Sequence, residues 1–361
     1  MSVTMLTTPA ILLYGATGFS GAALARVLAK RPGGVVLAGR SAKRLAPLAE
    51  ALGQPWAAFP AEGLEQAAAA FPGLRLMVNA AGPFAATAPA QMAASIRLGI
   101  DYLDLSGEWP TFEAAKRLCV RAREGGVMLL PGAAFSVAAS DCLLLKASRL
   151  LPHVARLRIA FSRPHPMSRG SAASALALAG PEIMIREEGA LVPRPLGAIS
   201  RAFDFGEGPR MATALSWPDL VTAPETTGVG SIETYSETAP LVRASLAAQA
   251  TLWPVLQAAG VPAMLRRAAG ALPQQPPIGP DGGMVLVAEA EDRWRRTASL
   301  RMRTADGYST SVRIAEAAVG RVLAGERRPG FVTPAGLFGA DFMEAIGAGQ
   351  VEDLPLERAR A

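Results

Sequence analysis

The chain has 361 residues, half of them hydrophobic and 18% charged, with 36 Lys plus Arg against 30 Asp plus Glu and a net charge of +6. That length accommodates two domains with their own cores. The cations alternate with acids and form neither a basic tail nor an aromatic-studded stripe, which disfavours nucleic acid and leaves anionic small molecules or phospholipid surfaces as partners.

In chain order, short apolar runs at Ala10–Tyr14, Val35–Ala38, Pro55–Phe59, Leu74–Ala80, Tyr102–Leu105 and Val127–Leu130 read as strands. Between them Ala22–Ala29, Ala42–Leu52, Leu64–Phe71, Pro89–Leu98 and Phe112–Glu124 read as helices. Strands alternating with helices predict parallel pairing and a doubly wound α/β sheet. From Ser140 the pattern changes. A helix at Cys142–Leu151 leads into "RLRIAFS", and "DFGEGPRMATALSW" and "GSIETYSE" also read as strands, amid loops and helices of mixed character. "GGMVLVAEAEDR" and "RRTASLRMRTADG" predict an antiparallel hairpin. A helix from Gly307 to Leu323 and a short one at Ala340–Ile346 follow. The expected organisation is a dinucleotide-binding domain over 1–139, an α+β domain over 140–307 containing a mixed or antiparallel sheet, and a C-terminal helical segment over 308–361.

Three features restrict location. Cys119 and Cys142 stand among apolar residues without metal-ligand spacing, which fits a reducing, cytoplasmic compartment. The opening "MSVTMLTTPAILLYG" lacks the pattern of a signal peptide. Ala244–Leu265 is uncharged and long enough to span a bilayer, but Pro254, Gly260 and Pro262 interrupt it, so a pair of soluble helices is expected.

The chemistry is concentrated near the N-terminus. "ILLYGATGFSG" places Gly15, Gly18 and Gly21 between the first strand and first helix. There the glycines permit a tight turn, close approach to a pyrophosphate and close helix–strand packing, while the helix N-terminus offers free N–H groups. Thr17 and Ser20 add hydroxyl donors. Sites that prefer NAD carry an acid about 20 residues further on, whereas an Arg suits a 2′-phosphate. Arg40 stands at the end of the second strand, with Ser41 and Arg44 close behind and no Asp or Glu between Gly21 and Arg44. The cofactor reading is NADP(H). No G-x-x-x-x-G-K-[ST] sequence occurs, no tyrosine has Lys four residues on, and no His/Cys/carboxylate cluster is apparent. These absences argue against a P-loop nucleotidase, a short-chain dehydrogenase and metal catalysis.

"GATGFSG", "LAGRS", "VNAAGPF", "YLDLSGE", "LPGAAFSVAASDCL", "SRGSA", "TTGVGSIETY" and "RPGFVTPAGLFGADF" together resemble the saccharopine dehydrogenase-like family, and most closely its trans-acting enoyl reductase branch. The resemblance implies an NADP-binding Rossmann domain joined to an α+β domain that carries substrate contacts and dimer surface, with the C-terminal segment returning to the Rossmann domain. It sets Gly15, Ala16, Thr17, Gly18, Phe19, Ser20 and Gly21 on phosphates and Arg40 and Ser41 at the adenosine end. Asn79, Ala80, Ala81, Gly82 and Pro83 would border the nicotinamide ribose, and Asp104, Ser106 and Glu108 would lie near the nicotinamide. Related sequences tend to carry Gly-Phe-Asp where this chain has Ala134-Phe135-Ser136, so an acid at Ser136 is missing.

Candidates for handling a proton are Glu108, Asp141 and His165. Asp141 follows Ser140 at an expected helix start, where a first-turn acid also serves capping. His165 lies between prolines in a loop, and Arg169 in the same loop could hold a carboxylate or phosphate. The expected activity is NADPH-dependent reduction of a carbon–carbon double bond in an enoyl thioester or lipid-like substrate. Two alternatives stand beside it: a saccharopine-type dehydrogenase acting on an amino-acid-derived imine, with Arg163 and Arg169 on its carboxylates, and a non-catalytic NADP-binding sensor or interaction protein.

Overall fold

In the computed structural model, which describes residues 9–162, 168–272 and 283–354, the chain divides into two units. One holds the residues up to Ser106, Pro110–Ala134 and Ser311–Val332; the other holds Gly107–Trp109, Phe135–Thr310 and the chain from Thr333 onward.

The N-terminal run is α/β throughout. β1 (Ile11–Tyr14) leads into α1 (Phe19–Leu28), β2 (Val36–Gly39) into α2 (Ala42–Leu52), and β3 (Trp56–Ala58) into α3 (Leu64–Ala70). β4 (Leu76–Asn79), α4 (Phe84–Leu98), β5 (Asp101–Asp104), α5 (Trp109–Arg117), α6 (Cys119–Glu124) and β6 (Met128–Leu130) follow. β1, β2, β4, β5 and β6 are buried at every residue, the pattern of parallel strands covered on both faces. The helix expected over Phe112–Glu124 is instead two helices meeting at Leu118.

The remainder opens with α7 (Phe135–Ala147), β7 (Val154–Phe161), α8 (Arg169–Ala177) and the hairpin of β8 (Glu182–Glu187) and β9 (Ala190–Pro195). β10 (Ser200–Asp204), β11 (Pro209–Ala214), α9 (Asp219–Thr227) and β12 (Ser231–Glu237) come next. After them stand α10 (Pro240–Ala258), α11 (Val261–Gly270) and the hairpin of β13 (Met284–Asp292) and β14 (Thr297–Thr304). The chain finishes with α12 (Gly307–Leu323), β15 (Gly330–Phe331), α13 (Pro334–Phe338), α14 (Phe342–Ala345) and β16 (Gln350–Asp353).

Two expectations are corrected here. α7 begins seven residues before the expected Cys142, so Asp141 sits inside a helix rather than at its start. Residues 168–195, read as loops and helices of mixed character, contain the β8–β9 hairpin. The Ala244–Leu265 stretch is the expected helix pair, broken at Gly260, whose φ of +71° suits glycine. Among the described residues no helix is long and apolar enough to cross a membrane.

The first sheet has seven parallel strands in the order β15-β6-β5-β4-β1-β2-β3. Strand order reverses between β1 and β4, the point where ligands bind in open α/β sheets. In the second unit nine strands form a mixed sheet, β10-β11-β12-β7-β13-β14-β16, with β8 pairing β12 and β9. Only β7 and β12 run parallel within it.

Alternation divides that sheet into two unlike faces. Leu157, Ile159, Phe161, Leu286, Ala288, Leu300 and Met302 lie on the face where α7 packs, all buried. The opposite face carries charge. Arg158 on β7 donates through Nε to Glu233 (3.0 Å) and through Nη2 to Glu291 (2.9 Å), with Glu289 at 3.9 Å. Arg156 also binds Glu233, Tyr235 donates to Glu233 at 2.6 Å, and Arg201 donates to Glu289 at 3.0 Å. Removing one member of a buried ion network leaves its partners uncompensated. Arg158→Met should therefore lower the stability of the folded protein by about 3–5 kcal/mol in urea unfolding monitored by circular dichroism; a loss well under 1 kcal/mol would contradict this account.

Candidate functional site

Gly15, Ala16, Thr17 and Gly18 form the turn from β1 to α1, and Phe19, Ser20 and Gly21 make the first turn of that helix. Gly15 and Ala16 both donate to the carbonyl of Ala38 on β2, and Gly18 donates to Gly15. Gly15 has φ +82°, and a Cβ there would meet the Ala80 carbonyl carbon and Ala81 nitrogen at 2.8 Å. A Cβ on Gly21 would come within 2.1 Å of the Gly15 oxygen. Both positions thus exclude any side chain. α1 has no capping side chain and no acid in its first turn, so its positive end is left to face a ligand.

Beside this turn, Arg40 follows the last residue of β2 and is exposed, and Ser41 is the N-cap position of α2. Arg44, in the first turn of α2, donates through Nη2 to the Thr17 carbonyl at 2.8 Å, tying the two loops together. Burial raises the Tyr14 phenol above its ordinary range while the positive charge of Arg40 partly offsets this. Arg40 therefore lies close to the end of β1.

On the other side of the switch point, Asn79 ends β4. Its Oδ1 accepts from Ala81 N (2.9 Å) and its Nδ2 donates to Thr87 and to Tyr102. Ala80, Ala81 and Gly82 run on to Pro83, the N-cap position of α4. Asp104, ending β5, is buried and accepts from Tyr102 OH (2.8 Å), Ser106 N (2.9 Å) and Gly132 N (2.8 Å). That carboxylate is committed to organising the strand end. The second unit holds Glu108, which is buried, and Asp141, which is fully so. Oδ1 of Asp141 accepts from Thr226 OH (2.7 Å) and Oδ2 from Ala335 N (2.8 Å). His165 and Arg163 lie outside the described residues. Ser136, where related sequences carry an acid, lies in the first turn of α7 and its carbonyl accepts from Trp217 Nε1 at 2.9 Å.

No protein-family profile matches the chain. Its structure is similar to apo saccharopine dehydrogenase (L-Glu forming) of Saccharomyces cerevisiae, with a TM-score of 0.63 and 11% identity over 96% of this chain and 99% of that one. Homospermidine synthase of Legionella pneumophila, in complex with NAD, gives a TM-score of 0.64 and 10% identity over 96% of this chain and 91% of that one. The fold is saccharopine dehydrogenase-like. In sequence, the chain is 37% identical over 105 residues to the trans-acting enoyl reductase of Mycobacterium leprae, 27% of this chain and 25% of that protein. The match thus spans about a quarter of the length of the relative.

Within the second unit, buried acids meet in a way that sequence reading missed. Asp219 on α9 is fully buried beside Asp141 and the Ser140 hydroxyl. Burial pushes its pKa up to about 8, with the Ser140 hydroxyl holding it back and the Asp141 carboxylate adding to the rise. Burial raises Asp141 to about 6, against the hydrogen bonds from Thr226, Ala335 N and Thr333. Thr226 and Thr333 hydroxyls stand 2.6 Å apart, and Thr333 caps α13 by accepting from Gly336 N. The available signal was an acid set among apolar residues in "WPDLV".

Both acids bind protons more tightly folded than unfolded, so stability falls as pH rises from about 4, through about 6 for Asp141 and about 8 for Asp219. Asp219→Asn, an isosteric stand-in for the neutral acid, should leave stability at pH 5 near the native value. Between pH 6 and 8 it should remove a slope of up to about 1.4 kcal/mol per pH unit. Urea midpoints at a series of pH values measure it; an unchanged slope in the variant would refute the assignment.

Proposed function

We propose that this protein is an NADP(H)-dependent oxidoreductase. The observation that carries the reading is the pairing of a side-chain-free cradle with a cation, without an acid, at the end of β2. Gly15 and Gly21 hold the turn where any Cβ would collide, and Arg40 stands where an NAD-preferring site would carry its acid. The α1 N-terminus, Thr17 and Ser20 would take the pyrophosphate; Arg40 and Ser41 would fork to a 2′-phosphate, with Arg44 anchored nearby on Thr17. Asn79, through its grip on Ala81, would shape the wall at the nicotinamide ribose. When bound, the dinucleotide supplies a hydride donor or acceptor.

The protein's own task is then to orient the substrate and move one proton. Asp141 and Asp104 hold backbone N–H groups, and we assign proton handling to Glu108, the acid that follows the end of β5. Reduction of a carbon–carbon double bond in an enoyl thioester or lipid-like substrate is the substrate reading we favour. The partial sequence match to trans-acting enoyl reductases supports it.

Thermal-shift titration with NADPH and NADH tests the cofactor, because a ligand that binds the native state raises its stability. The native protein should respond to NADPH at concentrations about 10–100-fold lower than NADH, the worth of a charge-assisted fork. Arg40→Asp should erase that preference, and equal shifts from both cofactors in the native protein would overturn the NADP assignment. Glu108→Gln should keep the NADPH shift while lowering kcat on an enoyl thioester by about 10²–10⁴-fold. Unchanged turnover would remove Glu108 from the chemistry.

A further inference from the structure

α10 buries none of its residues, although it is 19 residues long. Its inner seam, Leu246 and Ala250, packs against the cluster around Phe203 and Tyr235. Its outer stripe is also apolar: Leu241 is 85% exposed, Leu252 50% and Val255 66%, with Ala248 between them at helical spacing. α11 extends the patch with exposed Met264 and Leu265, and α8 packs against α11. Among their described side chains the three helices carry Arg169 and Arg243, both half-buried, and the exposed Arg267, and no Asp or Glu.

We infer that α10 and α11 form an interfacial element that seats this protein on an anionic phospholipid surface. An exposed apolar stripe on a helix costs free energy in water and is satisfied at the boundary between headgroups and acyl chains. Neither helix is long and apolar enough to cross a bilayer; the element lies in the interface plane. Charge selects the occupant. A second copy meeting this face through a two-fold axis would set arginines against arginines with no acid to receive them. Anionic headgroups answer both features at once, since each cation near such a surface adds about 1 kcal/mol of attraction.

Flotation of the full chain with vesicles of phosphatidylcholine, with or without phosphatidylglycerol, tests this without reference to the cofactor. Binding should require phosphatidylglycerol and weaken as salt is raised. Leu252→Glu with Val255→Glu should abolish flotation while leaving the melting temperature and the NADPH shift unchanged, because both side chains are solvent-exposed. Arg267→Gln should weaken partitioning about fivefold. The proposal is overturned if the native protein stays with the unbound fraction on both vesicle types. It is equally overturned if flotation survives the double variant, or if light scattering shows a dimer that the double variant converts to monomer.

Discussion

A Cβ on Gly21 would stand 2.1 Å from the carbonyl oxygen of Gly15, and the first unit is organised around that forbidden space. Because α1 has only hydrogen at this point, it can start almost beneath the end of β1. Because Gly15 adopts φ +82°, the turn can also press against Ala80 and Ala81 at the end of β4. These two approaches bring an uncapped helix N-terminus to the place where strand order reverses. Neither needs a ligand to exist, and both create a surface of backbone donors that a phosphate can reach. Arg44, bonded to the Thr17 carbonyl, stiffens the same turn from the second loop.

The second unit handles buried charge in two opposite ways. On the sheet face opposite α7, Arg158 is enclosed by Glu233, Glu289 and Glu291; despite burial the arginine is pushed up by these carboxylates and Glu233 is pulled down. Asp141 and Asp219 have no cation among their described partners. Asp141 is supported by a chain of hydroxyls and backbone N–H groups from Thr226, Thr333, Ala335 and Gly336, while Asp219 is held neutral. Carboxylic acid and carboxylate side by side avoid two adjacent like charges in a place water does not reach. The arrangement also fastens α9 and the start of α13 to the middle of α7, segments far apart in sequence.

The parallel sheet was readable because each strand is a continuous apolar run between glycine-marked turns, and helix periodicity lies between them. α2 and α12 fall on the residues that periodicity assigns, while the start of α7 does not. "PGAAFSVAAS" is too uniformly small and apolar to show a period, since α7 is buried at all but two of its thirteen residues. Its early start moved Asp141 from an expected cap into a sealed interior. The β8–β9 hairpin was obscured for a related reason: "EIMIREEGALVPRP" includes two prolines and a turn at Glu188 with φ +47°, an unusual conformation for a residue with a side chain. The glycine cradle was legible because glycine spacing encodes backbone geometry directly. The Asp141–Asp219 pairing was not, since contacts between residues 78 positions apart leave no local trace in one sequence.

In both surface features the informative signal is where acids are absent. Between the first residue and Glu50 the chain contains no Asp or Glu, yet it places Arg40, Lys43 and Arg44 beside a helix that already presents positive potential. Cations at the start of α2 work against that helix's own dipole, a cost that Arg44 offsets in part through its hydrogen bond to the Thr17 carbonyl. α8, α10 and α11 repeat the logic, with arginines but no acids on helices whose apolar side chains face water. Elsewhere the same chain neutralises its arginines readily, as Arg158, Arg301 and Arg327 show with Glu233, Glu352 and Asp101. On one sheet face the chain supplies acids for its arginines; at the start of α2 and on α8, α10 and α11 it supplies none, and that contrast is what an anionic ligand would exploit.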